Sequence, residues 1–196
     1  MNSVKVLVEG YAKISDKGWI AGSSTTYIQT DNGIKIIVDP GANRELLAKS
    51  LEQENLTFDE IDFVFLTHYH LDHSLNSSLF SNAKVINDEG IYNQDSAELL
   101  SDKIPGTEIE IIKTPGHVDG HLSLMTHTSE GAVLVAGDVF WWDDGEEQII
   151  DIEKADEFAT DMKALKLSRR RVLDLADFVI PGHGRKFRVN TDAKLK

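Results

Sequence analysis

The 196-residue sequence predicts a layered α/β domain, and three observations carry that prediction. Short runs rich in Val, Ile and Phe alternate with segments of helical period, the pattern of sheets covered by helices. The length suits one domain, 1–196, with room for a sizeable core. All four prolines precede a glycine (Pro40-Gly41, Pro105-Gly106, Pro115-Gly116, Pro181-Gly182). Such a pair ends a strand because proline lacks a ladder N–H and glycine tolerates positive φ.

The apolar runs at 34–38, 63–66, 109–112, 133–135 and 178–180 read as strands buried on both faces, and three of the Pro-Gly pairs close runs of this kind. Residues 122–125 read as a further strand, and His127 with Thr128-Ser129-Glu130-Gly131 as a hairpin. Helical period predicts helices over 44–54, 90–100 and 152–176. In the last, Ala155, Phe158, Ala159, Met162, Leu165, Val172, Leu173 and Ala176 fall on one face.

Composition narrows the function. Hydrophobic residues at 41% and charged residues at 27% describe a globular chain rather than a disordered one. With no cysteine, a disulfide framework, a thiolate metal site and a Cys nucleophile are all excluded, so any metal is held by His and carboxylate. The opening MNSVKVLVE has no basic stretch followed by an apolar core, and no run approaches the ~20 apolar residues of a membrane span. A cytoplasmic chain without a membrane partner is expected. Twenty basic against 33 acidic residues give a net charge of −13, which repels polyanions. Locally the sign reverses, in Lys163, Lys166, Arg169, Arg170, Arg171, Arg185, Lys186 and Arg188.

The chemistry concentrates in Thr67-His68-Tyr69-His70-Leu71-Asp72-His73, directly after the run at 63–66. Three imidazoles and a carboxylate within six residues suit Zn²⁺ or iron. Three other runs lead to a ligand type: 109–112 to Thr114-Pro115-Gly116-His117, 133–135 to Ala136-Gly137-Asp138, and 178–180 to Pro181-Gly182-His183. Singly, each is more often a turn residue. Sites in α/β sheets gather just beyond the carboxyl ends of strands, so the four strand ends together read as one site.

In these blocks, from Asp39-Pro40-Gly41 through THYHLDH, TPGH and AGD to PGHG, the chain resembles the metallo-β-lactamase superfamily over nearly its full length. The resemblance implies a four-layer αββα sandwich with two mixed sheets and a metal site on one edge. It implies two divalent ions per chain, zinc being the expected ion and iron or manganese the alternatives. Carried over by position, His68, His70 and His117 hold the first ion, Asp72, His73 and His183 the second, and Asp138 bridges them, with a bridging hydroxide oriented by Asp72. The thirteen residues after His183 leave no room for the helical substrate domain of glyoxalase II-type relatives.

Around these positions His121 is a candidate for supporting a ligand or touching substrate, though a structural histidine is the commoner case. Trp141, beside Phe140 and Trp142, either lines a pocket or packs under the last helix. Trp19, on a glycine-rich segment, suits a flap or a surface turn. Arg185, with Lys186 and Arg188, would suit an anionic group on the substrate, or a solvated tail. The expected activity is hydrolysis of an ester-type bond in a small molecule: lactone, thioester, β-lactam or phosphodiester. The end of the chain looks like a small branch of the superfamily linked to RNA cleavage, so a nucleic-acid phosphodiesterase is one alternative; a mononuclear iron persulfide dioxygenase is another. A homo-oligomer is compatible with the sequence.

Overall fold

Alternation of side chains along the strands decides the architecture. In the computed structural model, which describes residues 1–190, Ile36 and Val38 of β5 (Lys35–Val38) enter one core while Ile37 between them enters another. Phe63 and Phe65 of β6 (Phe63–Phe65) likewise face away from Val64. On the other sheet, Val133 and Val135 of β12 (Gly131–Trp141) oppose Leu134 and Ala136. A strand buried on both faces must be covered on both, and each sheet therefore carries helix on one side and its partner sheet on the other.

The first sheet has seven strands in the order β1 (Ser3–Val8), β4 (Thr25–Gln29), β5, β6, β7 (Lys84–Ile86), β8 (Ile91–Asn93) and β9 (Ser96–Glu98). The second has five: β10 (Glu110–Lys113), β11 (Leu122–Thr128), β12, β13 (Phe178–His183) and β14 (Phe187–Arg188). Both are mixed, with parallel pairs β5–β6, β6–β7 and β12–β13 among antiparallel ones. A separate hairpin joins β2 (Tyr11–Ser15) to β3 (Gly18–Gly22). Ile28, Ile36, Phe65 and Ile86 of one sheet meet Leu122, Leu124, Val133 and Ile180 of the other in the central core. Leu47 and Leu51 of α1 (Arg44–Gln53) cover the first sheet. Leu165, Val172 and Leu173 of α3 (Met162–Leu175) cover the second. The result is the αββα sandwich that the resemblance implies.

Three local expectations are corrected. Residues 90–100 form the β8–β9 hairpin, not a helix. Its two-residue turn holds Gln94 at φ +56°, and β8 extends the first sheet by pairing with β7. The helix expected from 152 starts only at Met162. Ahead of it, the carboxylates of Asp151 and Asp156 accept from the backbone N–H two residues on, bending the chain into turns, and Asp161 caps the helix by accepting from Lys163 and Ala164 N–H. Pro181 does not end its strand: β13 runs on to His183, and Pro181 pairs with Gly137 of β12 where the register shifts on either side, an irregularity of the kind at which a sheet admits proline.

Candidate metal centre

The four strand ends converge. β6 delivers the 67–73 segment, including α2 (Leu71–Ser74); β10 delivers His117 through its loop; β12 and β13 carry Asp138 and His183 within their extended carboxyl ends. Glycine makes the last approach feasible. A Cβ on Gly182 would lie 1.7 Å from Asp138 Oδ1, and one on Gly137, at φ +53°, would lie 2.6 Å from Thr67 Oγ1.

The structure gathers these side chains into two groups whose ligand atoms all lie within 4.8 Å of one another: His68, His70, His117 and Asp138 in the first, Asp72, His73 and His183 in the second. Asp138 faces both. Its Oδ2 is 3.7 Å from His68 Nε2 and 3.4 Å from His117 Nε2, while its Oδ1 is 3.2 Å from His73 Nε2 and 3.5 Å from His183 Nε2. Asp72 Oδ2 lies 3.3 Å from His183 Nε2.

Four imidazoles are held by their other nitrogen, which fixes the free one toward the centre. His68 Nδ1 pairs with Thr67 Oγ1 at 3.0 Å, His73 Nδ1 with Asp39 Oδ2 at 2.8 Å, and His117 Nδ1 with Asp156 Oδ2 at 2.9 Å. His183 Nδ1 lies 3.0 Å from Tyr11 O and 3.1 Å from Gly22 O, at the two ends of the β2–β3 hairpin. Asp39 also accepts from the N–H and hydroxyl of Thr67. Neither Asp39 nor Asp156 stands out as a site residue in the sequence. Asp39 ends a strand like the other ligand types and was open to the same reading, whereas Asp156 is hidden in an acid-rich run.

His121 does not reach the centre. It is buried, stacks on His68 with centroids 5.1 Å apart, and accepts the Asp138 N–H on Nε2 at 3.2 Å. Its Nδ1–H then donates to Thr114 Oγ1, whose hydroxyl donates to Ser123 Oγ, which donates to Ala136 O. Every donor in that chain has an acceptor only with neutral His121, and burial pushes its pKa down to about 3.

Charge shows what the site lacks. Among the described residues, His73 Nε2 and Asp138 Oδ1 are two of three buried side-chain polar atoms without a hydrogen-bond partner, and both point into the centre. Burial raises the cost of ionising Asp138, yet His73 and His183 hold its carboxyl well below the usual range. Against burial, Asp138 and Asp72 hold His183 up to about 9, and Asp138 and Asp39 hold His73 well above its ordinary value. His68 and His70 are pushed down, by burial first and then by neighbouring imidazoles. A buried centre of five imidazoles and two carboxylates, in which the carboxylates favour positive charge on His73 and His183, suits cations, and the N/O donor set with orphaned atoms fits divalent ones such as zinc, iron or manganese.

A cavity of about 340 Å³ opens over this centre. Its floor is His70, Asp72, His117, Asp138 and His183; its walls are Ala12, Ile14, Trp19, Ala21, Leu71, Trp141 and Phe158. Trp141 is therefore a lining residue, while Phe140 and Trp142 pack in the core under α3. Trp19 is 69% exposed at the hairpin and meets Phe158 edge-on, centroids 6.4 Å apart. Arg185 does not line the cavity; its backbone N–H and carbonyl bond the Gln148 side chain. Nor does Arg169, which is buried in the molecule instead of contributing to a basic surface.

Comparison with known proteins shows the family and agrees with the fold. The family described as Metallo-beta-lactamase superfamily matches residues 19–105. Metallo-beta-lactamase domain-containing protein 1 of Xenopus laevis is 33% identical over 199 residues, covering 96% of this chain and 82% of its own. Hydroxyacylglutathione hydrolase 1 of Vibrio vulnificus is 28% identical over 59% of this chain and 47% of its own. A solved metallo-beta-lactamase-type structure from Thermotoga maritima superimposes with a TM-score of 0.71 at 23% identity, covering 95% of this chain and 99% of that one.

Proposed function

The chain belongs to the Metallo-beta-lactamase superfamily and is a hydrolase, and from that premise we propose that it uses two divalent cations to hydrolyse an ester-type bond in a small, uncharged, apolar-bodied substrate. The single observation that carries the two-cation reading is Asp138, whose two oxygens face two separate groups of ligand atoms. In that reading His68, His70 and His117 hold one ion, Asp72, His73 and His183 the other, and Asp138 both. Zinc suits a donor set of imidazole and carboxylate without thiolate. Bound there, such ions would supply an acidified water as nucleophile and polarise the electrophile's oxygen. The presence of a second group of ligands weighs against the single-iron dioxygenase alternative.

The chain's own groups have defined parts. Asp72, whose side chain keeps 24% of its surface exposed, lines the cavity, and its carboxyl is held low by His183 despite burial. It is therefore ionised at neutral pH and able to accept a hydrogen bond from a water on the cavity floor, fixing that water's lone pair toward substrate. Trp19, Trp141 and Phe158 offer flat apolar surface to the part of the substrate that does not react, and they exclude water from it.

Among the described residues no Lys or Arg lines the cavity, which, with a net charge of −13, weighs against a nucleic-acid substrate and against the anion-binding part considered for Arg185. The test is a matched panel: neutral lactones and thioesters with alkyl or aryl bodies, their carboxylate-bearing analogues, and a single-stranded RNA. The neutral members should turn over with higher kcat/KM, and Trp19→Ala should raise their KM by about tenfold, the value of one lost aromatic contact. Preferential cleavage of the RNA, or indifference to Trp19→Ala, would refute the substrate class.

A further inference from the structure

Arg169 sits on α3 with 2% of its surface exposed; its guanidinium is held by backbone carbonyls and makes no ion pair among the described residues, while the charges of Asp156, Asp151 and Glu153 act on it from farther off. Nε donates to Val139 O at 3.0 Å, and Nη1 donates to Ile152 O at 3.0 Å and to Lys154 O. The ring of Phe140 lies 6.0 Å from its Cζ. Only a planar fork with several donors satisfies carbonyls from two separate segments at once; an ammonium on a flexible stem does not reproduce that geometry. Burying a cation is costly, and burial does lower the Arg169 pKa. A residue retained at that cost fixes something.

What it fixes is the path of residues 152–158. Val139 follows Asp138, and Lys154 precedes Asp156 by two residues. Lys154 is tied a second time, its Nζ donating to Trp141 O at 2.9 Å. Asp156 is thereby delivered under His117, with Oδ2 2.9 Å from Nδ1, and Phe158 is delivered to the cavity wall, its ring 5.8 Å from Trp141. The same stretch of chain clamps the His117 loop by its backbone: Thr160 N–H donates to His117 O at 3.0 Å, Asp161 N–H to Gly116 O at 2.9 Å, and Ser168 Oγ to Pro115 O at 2.7 Å.

We propose that Asp156 is the positioning residue for His117, and that Arg169 positions Asp156 and Phe158 together by clasping the segment between them to β12. Asp156 acts on the first group of ligands alone; the second group is held by Asp39 and the hairpin. This rests on the two-cation reading, and its distinctive consequence is an asymmetry between the two ions.

Metal-stripped protein would be titrated with Zn²⁺ against a chromophoric chelator. In Asp156→Ala one zinc step should weaken about 10–100-fold while the other stays at its wild-type value, since loss of a ligand's hydrogen-bond partner has effects of that size. Asp156→Asn should recover part of the loss, because its amide oxygen can still accept from His117 Nδ1–H, although the amide NH2 then replaces the oxygen that accepts from Phe158 N–H. Arg169→Lys should weaken the same step and also raise KM, through Phe158, whereas Asp156→Ala should act on kcat. The His117 ring is read independently by nitrogen NMR of the metal-free protein: its hydrogen-bonded Nδ1–H signal should vanish in Asp156→Ala and persist in Asp156→Asn. If the ring signal depends on Asp156 but wild-type protein takes up no zinc, the cation reading alone is overturned. If both zinc steps and the ring signal are unchanged in Asp156→Ala, this proposal is overturned.

Discussion

Four of the five histidines at the centre are defined by what occupies their second nitrogen. Asp39, Asp156, Thr67 and two hairpin carbonyls take Nδ1 of His73, His117, His68 and His183, so Nε2 is left to the centre in all four. His121 works one step further out, holding the Asp138 backbone. Replacing it in His121→Ala leaves the buried Asp138 N–H without its acceptor, which costs about 1–3 kcal/mol, and removes the donor to Thr114 Oγ1, which keeps only Ser123. The expected result is a lower Tm by thermal melting together with reduced kcat, and an unchanged Tm would show that the chain from Asp138 to Ala136 carries no load. Gly182→Ala is the sharper change. Its Cβ would collide with Asp138 Oδ1, so mass spectrometry of the purified variant should find its metal content reduced below wild type, and full retention would contradict the placement of that carboxylate. The residues gathered at the centre were legible in the sequence because they share one habit, a His or Asp just past an apolar run. Their supports were not, since a carboxylate such as Asp156 looks the same whether it is solvated or lies under an imidazole.

At the scale of elements, legibility followed burial. The runs that became β5, β6, β12 and β13 are apolar on both faces because each lies between a core and a helix layer, and that continuity is visible in sequence. The β8–β9 hairpin has no such mark: its turn uses Gln94 rather than glycine in the left-handed region, and β9 is exposed along its length. Between α1 and β6, a short turn over Phe58–Glu60 is closed by a reciprocal cap, Glu60 Oε2 accepting from Thr57 N–H at 2.8 Å and from its hydroxyl at 2.9 Å. Lys35 Nζ holds Glu60 Oε1 at 2.8 Å, and with Thr57 it lowers the carboxyl pKa to about 2. A depressed carboxylate contributes stability that is present above its unfolded value of 4.5 and is lost as pH falls toward 2. In Lys35→Met, carbon-detected NMR titration should move the Glu60 midpoint back up toward 4.5; an unmoved midpoint would assign the shift to Thr57 alone. The effect on stability is small, since the pair is exposed and screened.

Taken whole, the molecule sets an anionic exterior around an apolar cavity whose floor is a concentrated set of candidate cation ligands. The two sheets bring this about by ending their strands at the same edge, so residues from positions 68 to 183 meet: the 67–73 segment supplies members of both groups, and His117, Asp138 and His183 complete them. The central claim is that Asp138 stands between two cations, and the most direct measurement is the metal content of the chain purified without added metal, by inductively coupled plasma mass spectrometry. The account predicts about two divalent ions per chain, falling in Asp138→Ala. A wild-type chain that binds one ion at most, even after dialysis against excess zinc, would contradict it.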